Sequence, residues 1–92
     1  MNGVLFQVDG SYENVTPVKG DVFTLEELQT LVGGYIELGR RMQTTDGSVD
    51  FIVDEDGLLK GLQPNTLFPE WIGRVLVIPT KMWAPEDVAE GM

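Results

Sequence analysis

The sequence predicts an α+β fold in which one short α-helix packs on a small antiparallel β-sheet, open or partly rolled. Three observations lead to this prediction. A single well-delimited helix motif, TLEELQTLVGG, occupies residues 24–34. Short runs rich in β-branched and aromatic residues alternate with turn-forming Gly, Pro, Asn and Asp. The chain has 92 residues, a length that supports one domain with a modest core.

The helix motif carries both a start and a stop signal. Thr24 can accept a hydrogen bond from the first-turn amides, and Glu27 can reach back to the backbone of Thr24, which forms a capping box. Gly33 can adopt the left-handed conformation that ends a helix. The apolar residues share one face, which we expect to pack on the sheet: Leu25, Leu28, Leu31 and Val32.

The strands are predicted from apolar and β-branched runs bounded by turn residues. Pro17 cannot donate to a ladder, so its strand is expected at an edge, whereas GRVLVIP is expected at the centre. The turn DEDG at residues 54–57 predicts a hairpin between the strands on either side of it. The segment 39–48 is predicted as a loop or an irregular hairpin, and 64–71 as a turn with one helical turn. The predicted strands are 3–8, 15–18, 35–38, 49–53, 58–62 and 73–79.

The charge balance and the apolar runs exclude several classes of partner. The chain has 6 basic and 15 acidic residues, which gives a formal net charge of −9. This charge disfavours general binding to nucleic acid. The acids are scattered, which favours a role in solubility. No apolar run approaches the ~20 residues that cross a bilayer, and the N-terminus lacks signal-peptide features. We therefore expect no membrane contact and a soluble protein, with one domain at 1–82 and an acidic tail at 83–92.

The residue types that most catalytic and metal sites need are missing. The chain contains no His and no Cys, so the usual zinc sites and thiolate chemistry are excluded. VDEDG resembles a calcium loop, but Gly57 at loop position six would place Ile52 and Gln63 where carboxylates are required. Asp54 and Asp56 are expected to be solvated turn residues. We therefore expect no enzyme activity, no metal and no cofactor.

The glycine pair and the arginines after it form the first candidate site. Gly33 and Gly34 follow the helix C-terminus, whereas phosphate cradles use amides at a helix N-terminus. Gly34 can let another backbone or a flat ligand approach Tyr35 closely. Arg40 and Arg41 supply two of the six basic residues in one dipeptide. The alternative is that they form surface salt bridges, with Glu37 or Asp46 as partners.

Three sequence blocks occur in an order that resembles a known family. TLEELQTLVGGYIEL, VDEDGLLKGLQPN and IGRVLVI together are similar to a family of small domains of unknown function, encoded mainly by bacteriophages and other mobile elements. The resemblance spans Val4 to Ile78. Two departures are Thr66–Leu67 after PN, where a small residue is typical, and the unmatched segment 40–48. The resemblance implies a phage-type accessory protein that acts in the bacterial host cytoplasm, and it implies no reaction.

Phage accessory proteins that lack catalytic residues often act by capture, and this leads to a functional hypothesis. The chain would sequester a small anionic nucleotide immune signal, a cyclic oligonucleotide or an ADP-ribose derivative, through aromatic faces and cations. Because 92 residues leave little room for a cavity, and GRVLVIP with Trp83 offers ample apolar surface, a homo-oligomer is expected. Asn65 would read a base edge or fix the turn after Pro64. The candidate ligand-binding residues are Gly34, Tyr35, Arg40, Arg41, Lys60, Asn65, Trp71 and Arg74, with Trp83 as a further stacking surface.

Two other functional hypotheses stay open. An acidic protein can inhibit a host defence protein directly by mimicking DNA, which requires carboxylates spaced over one surface. The chain can also be a structural or regulatory phage protein.

Overall fold

The computed structural model of the protein describes residues 2–83. The acidic tail predicted for the C-terminus lies outside this range except for Trp83. Five strands, one α-helix and a short 3-10 helix follow each other in this part of the chain. Their bounds are β1 Gly3–Phe6, β2 Tyr12–Val15, α1 Leu25–Val32, β3 Ile36–Thr44, β4 Gly47–Asp54, β5 Val75–Pro79 and the 3-10 helix Thr80–Met82.

The strands form one antiparallel sheet in the order β2-β1-β5-β4-β3. The sheet is neither closed nor strongly curled, and one short helix packs on it, so the predicted α+β fold is confirmed. The apolar run predicted to be central is β5, which pairs with β1 on one side and β4 on the other. No helix within residues 2–83 is long and apolar enough to span a membrane.

The predicted helix boundaries are confirmed. The Thr24 hydroxyl accepts a 3.1 Å hydrogen bond from the backbone N–H of Glu27, and the Glu27 carboxylate accepts one from the backbone N–H of Thr24, so the capping box is complete. Glu27 also accepts a 2.8 Å bond from the N–H of Val18, which ties the preceding loop to the helix start. Gly33 ends the helix with φ +97°. The buried face is narrower than predicted, since Leu25 is 43% exposed.

The second strand lies earlier in the chain than predicted. A tight turn at residues 7–11 lets β2 begin at Tyr12. In this turn the Asp9 carboxylate accepts a 2.9 Å hydrogen bond from the N–H of Ser11, and the N–H of Gln7 donates to the carbonyl of Ser11. Hydrogen bonds from Ser11 also hold the pKa of Asp9 below its ordinary value. The strand pairs with β1 alone and therefore lies at an edge of the sheet, as predicted, but Pro17, the reason for that prediction, lies outside it.

The segment predicted as a loop or irregular hairpin is a hairpin, whereas the predicted strand 58–62 is wrong. β3 continues to Thr44 and pairs with β4 along its length, with a bulge between Leu38 and Arg40. Both sides of β4 are therefore occupied, by β3 and β5, and no ladder position is left for residues 58–62. That segment forms a series of turns instead.

The two faces of the sheet are covered differently. Alternate strand residues point to the helix side and form the main core with the residues after β5. On the opposite side, Phe68 and Trp71 from the segment before β5 pack against strand residues, and five aromatic rings meet there in tilted and edge-to-face contacts. The main core comprises Leu5, Phe23, Leu28, Val32, Ile52, Leu76, Ile78, Met82 and Trp83. The opposite side carries an aromatic cluster of Phe6, Tyr12, Phe51, Phe68 and Trp71.

Candidate ligand-binding site

The C-terminal end of α1 is capped by two cations from distant segments. Arg74 Nη1 donates to the carbonyl oxygen of Leu31 at 3.1 Å, and Lys60 Nζ donates to that of Gly33 at 3.0 Å. The last carbonyls of a helix lack intrahelical partners and carry the negative end of its dipole. The two cations therefore satisfy these carbonyls and place positive charge at the helix end.

Lys60 is held in place by a largely buried carboxylate. Its Nζ lies 2.8 Å from Oδ2 of Asp54, whose side chain is 1% exposed, while the Lys60 side chain keeps 39% exposure. The other carboxylate oxygen of Asp54 accepts a hydrogen bond from the N–H of Asp56 at 2.8 Å. The acidic turn predicted from the sequence thus contributes one internal ion pair, and its carboxylates are not all solvated.

Gly34 lies directly against this ion pair. A Cβ atom at this position would collide with Lys60 Nζ and would stand 3.0 Å from Oδ2 of Asp54. The sequence suggests glycine here for the close approach of another backbone or a flat ligand to Tyr35. The close approach in this structure is that of Lys60 and Asp54.

Two adjoining surface depressions share Lys60, and we refer to them together as the helix-end cleft. The larger, about 520 Å³, has Asp9, Lys60 and Arg74 among its polar lining residues. The smaller, about 260 Å³, is lined by Gly34, Tyr35 and Lys60 together with Gln29 and Asp56. The Tyr35 ring is 67% exposed. The helix-end cleft therefore combines an open aromatic face, two cations and several acceptors.

Arg40 lies on the opposite side of the sheet. Its guanidinium carbon is 5.3 Å from the centroid of the Trp71 ring, and its Nη2 is 3.3 Å from the Glu70 carboxylate. A Cβ atom on Gly39 would stand 2.8 Å from Trp71 Cε2, so the indole rests directly on the backbone at the β3 bulge. Arg40 and Trp71 thus form a cation–π pair at the rim of the aromatic cluster.

Arg41 is bound to Asp50 on the helix side of the sheet. Its Nε and Nη2 donate to the two carboxylate oxygens at 2.7 and 2.9 Å. Asp50 also accepts from Thr80 Oγ1 at 2.8 Å and from Trp83 Nε1 at 2.6 Å. Burial by itself raises the pKa of Asp50, but the hydrogen bonds from Arg41, Trp83 and Thr80 and the charge of Arg41 outweigh it and hold that pKa below its ordinary value.

The salt-bridge alternative for the two arginines has support in the structure, with different partners. Arg40 pairs with Glu70 and Arg41 with Asp50, whereas the sequence suggested Glu37 or Asp46. The Arg41 and Trp83 side chains both donate hydrogen bonds to the carboxylate of Asp50. Trp83 is 1% exposed, so its indole face is covered by the core.

Asn65 is fully buried and fixes the turn after Pro64. Its Nδ2 donates to the carbonyl oxygens of Gly73 and Gln7 at 3.0 and 3.2 Å, and its Oδ1 accepts from the N–H groups of Leu67 and Phe68. This side chain ties the segment 57–73 to the end of β1. The turn role is therefore the one that the geometry shows.

The eight sequence-predicted residues thus separate into four locations. The helix-end cleft brings together Gly34, Tyr35, Lys60 and Arg74. Arg40 and Trp71 lie together on the opposite side of the sheet, Arg41 lies against Asp50, and Asn65 is buried. Tyr35 and Arg40 are five positions apart in the chain, roughly 16 Å at the ~3.3 Å rise per residue of a strand.

Sequence reasoning did not identify Asp50 as a key residue. Its signal was present in VDFIV, where a single carboxylate falls on an apolar strand. A buried acid in such a place requires a cation and hydrogen-bond donors. Its partners Thr80 and Trp83 are 30 and 33 residues away, so no local pattern connects them.

Comparison with known proteins gives the chain a family and no activity. No curated protein and no solved structure shows significant similarity to it. One family model matches residues 1–82, nearly the whole of the 92-residue chain. The match confirms the predicted resemblance to a family of small domains of unknown function. The chain belongs to the family described as domain of unknown function DUF3846.

Proposed function

We propose that the chain is a non-enzymatic binding module that holds a small, anionic, base-containing ligand in the helix-end cleft. The observation that carries this proposal is the position of Lys60, which lines both depressions, with the exposed Tyr35 ring on one side and Arg74 on the other. A nucleotide whose base stacks on Tyr35 would place its phosphate groups toward the two cations. Any nucleobase can stack on an aromatic side chain.

The cations have donors to spare for such a ligand. An ammonium group has three donors, and Lys60 uses two of them, on Gly33 and Asp54. A guanidinium group has five, and Arg74 uses one on Leu31 among the described contacts. An anion can therefore bind both side chains without breaking the helix cap. Arg41, by contrast, would have to give up Asp50 first.

The narrower proposal concerns the biological ligand. Together with the resemblance to phage-encoded domains, a cleft that binds a nucleotide without a catalytic group fits an accessory protein that sequesters a nucleotide immune signal in the host bacterium. Cyclic oligonucleotides and ADP-ribose derivatives are the classes to test. A ligand of this kind would be released intact when the protein is denatured by heat.

The test is a thermal-shift screen against cyclic dinucleotides, cyclic trinucleotides and ADP-ribose derivatives. A ligand present at a hundred times its dissociation constant adds about 2.7 kcal/mol of stability. For a ligand that binds, Tyr35→Ala should remove ~1–3 kcal/mol of binding free energy through lost stacking. Arg74→Ala should remove about 1.5–3 kcal/mol through a lost charge-assisted hydrogen bond.

Matched controls locate the site. Lys81→Ala removes an exposed cation outside the helix-end cleft, and Arg40→Ala removes the one on the opposite side of the sheet, so both should leave the shift unchanged. If Arg40→Ala weakens binding as much as Arg74→Ala, the ligand binds elsewhere. If no member of the panel shifts the melting temperature, the binding proposal fails and direct inhibition of a protein becomes the leading hypothesis.

We also propose that the chain forms a homo-oligomer. The apolar residues that first suggested this, in β5 and at Trp83, are largely buried within the chain. The remaining support is the exposure of Tyr12 and Met42, 68% and 45%, on the side of the sheet that carries the aromatic cluster. Light scattering at micromolar concentration should return a multiple of 10.2 kDa. A mass of one chain would contradict this proposal.

A further inference from the structure

Two adjacent leucines stand out in the turn at residues 57–61, which we call the leucine turn. Leu58 and Leu59 are 77% and 87% exposed, so nearly all of their apolar surface faces solvent. Single exposed apolar residues are common, but two consecutive leucines on one turn form a contiguous apolar projection. The DEDG turn and Lys60 explain how this turn is held, and neither requires leucine at these two positions.

The backbone of the leucine turn is rigidly held. Lys60 donates to the carbonyl of Asp56 at 3.0 Å, and Leu62 donates to that of Gly57 at 3.1 Å across Gly61, which has φ +73°. This arrangement is a single helical turn with a Schellman-type end. The Lys60 side chain anchors it to Gly33 and Asp54. Because the turn is ordered before any partner arrives, binding through it costs little backbone entropy.

Negative charge flanks the leucines on their N-terminal side. Glu55 is exposed and Asp56 is half-buried. Among residues 2–83, neither takes part in an ion pair, since the three salt bridges of this region use Asp50, Asp54 and Glu70. The apolar projection is therefore bordered on its N-terminal side by two carboxylates without an ion pair, whereas Lys60 on its C-terminal side is paired with Asp54. The formal net charge of the chain is −9.

We infer that the leucine turn is a docking surface for a cationic protein, one that offers an apolar pocket for Leu58 and Leu59 and Lys or Arg side chains for Glu55 and Asp56. The apolar contact provides the affinity and the charges provide the orientation and the association rate. The homo-oligomer proposed above would use the side of the sheet that carries the aromatic cluster. A second copy fits the leucine turn itself poorly, because the carboxylates of Glu55 and Asp56 would meet another acidic surface there. This inference goes beyond the proposed ligand-binding function, since Leu58, Leu59 and Glu55 are not among the residues that line the helix-end cleft, whereas Asp56 lines its smaller depression.

The probe is a synthetic amphipathic helical peptide with Leu on one face and Lys on the other. Two further peptides of the same length serve as references, one with Glu in place of Lys and one with Ser in place of Leu. Fluorescence anisotropy should show at least tenfold tighter binding of the Leu/Lys peptide than of either reference. The double variant Leu58→Ser, Leu59→Ser should lose this preference, and Glu55→Gln, Asp56→Asn should flatten its dependence on salt.

The matched control is Val18→Ser, which removes another apolar side chain, 81% exposed, outside the leucine turn. It should leave binding of the Leu/Lys peptide unchanged. Equal binding by wild type and by the double leucine variant would overturn the inference, as would equal loss in the Val18 control. Self-association that disappears in the double leucine variant would also overturn it, because the occupant would then be a second copy.

Discussion

The indole nitrogen of Trp83 donates a 2.6 Å hydrogen bond to the carboxylate of Asp50, and both side chains are buried. This bond joins the residue that follows the 3-10 helix to the middle of β4. Arg41 and Thr80 supply the other donors, so the carboxylate has internal partners on both oxygens. The C-terminal end of the core therefore depends on one ionised acid.

Replacing Asp50 with Asn should destabilise the protein by about 2–4 kcal/mol, because hydrogen bonds to a charged acceptor are lost and buried donors are left without a partner. Urea unfolding at pH 7 measures the change in the free energy of unfolding. Asp46→Asn is the matched control, since Asp46 is exposed in the β3–β4 turn, and we expect a change within about 0.5 kcal/mol there. Equal effects of the two variants would contradict this prediction.

The contribution of Asp50 to stability should depend on pH in a defined direction. Its pKa is lower in the folded protein than its ordinary value of ~3.9 in an unfolded chain. The unfolded state therefore binds the proton more tightly, and the stabilisation is fully present above about pH 4 and is lost as the pH falls through the folded-state pKa.

The comparison of wild type with Asp50→Asn isolates this dependence, because other acids, such as Asp9 and Glu27, also have lowered pKa values and titrate in both proteins. The difference in unfolding free energy between the two proteins should be constant from pH 7 to about pH 5 and shrink below about pH 4. A difference that is as large at pH 3 as at pH 7 would show that the ionised form of Asp50 is not the stabilising one.

Removing the helix cap should cost a measurable amount of stability. Thr24→Ala deletes the acceptor for the N–H of Glu27 and should lower the free energy of unfolding by ~1 kcal/mol. Thr30→Ala, at an exposed position within α1, is the control and should be neutral or slightly stabilising, because Ala has the higher helix propensity. Thermal unfolding of the two variants decides between a capping role and a general effect of losing threonine.

Gly34→Ala should disturb the helix-end cleft even though alanine is small. The added methyl group would collide with Lys60 Nζ, so the Lys60–Asp54 ion pair must shift, and we expect a loss of about 1–3 kcal/mol. Gly20→Ala provides a comparison at a loop glycine with φ +65° and no neighbouring atom within 4 Å. Gly20→Ala therefore reports only the cost of alanine at positive φ, about 1–2 kcal/mol, without a steric clash. A Gly34→Ala variant as stable as the wild type would show that the cleft is wider than the structure indicates.

The features that were predicted correctly depend on residues close together in sequence. Thr24, Glu27 and Gly33 interact within one helix, so the bounds of α1 follow from their order alone. The central strand was recognisable because buried strands are continuously apolar. The strand predicted at 58–62 failed for a non-local reason, since a hairpin partner for β4 is possible only if no other strand pairs with it first.

The sequence by itself determined the fold class, the helix and its caps, the edge and central strands, and the absence of His and Cys chemistry, because these follow from local hydrogen bonding, side-chain periodicity and composition. Only the tertiary structure decided which cations meet which carboxylates. Lys60 reaches Gly33 across 27 residues, and Arg74 reaches Leu31 across 43. Such partners depend on strand order and on the path of the segment 57–73, which are set by packing of the whole chain. Local sequence patterns therefore could not predict which residues line the helix-end cleft.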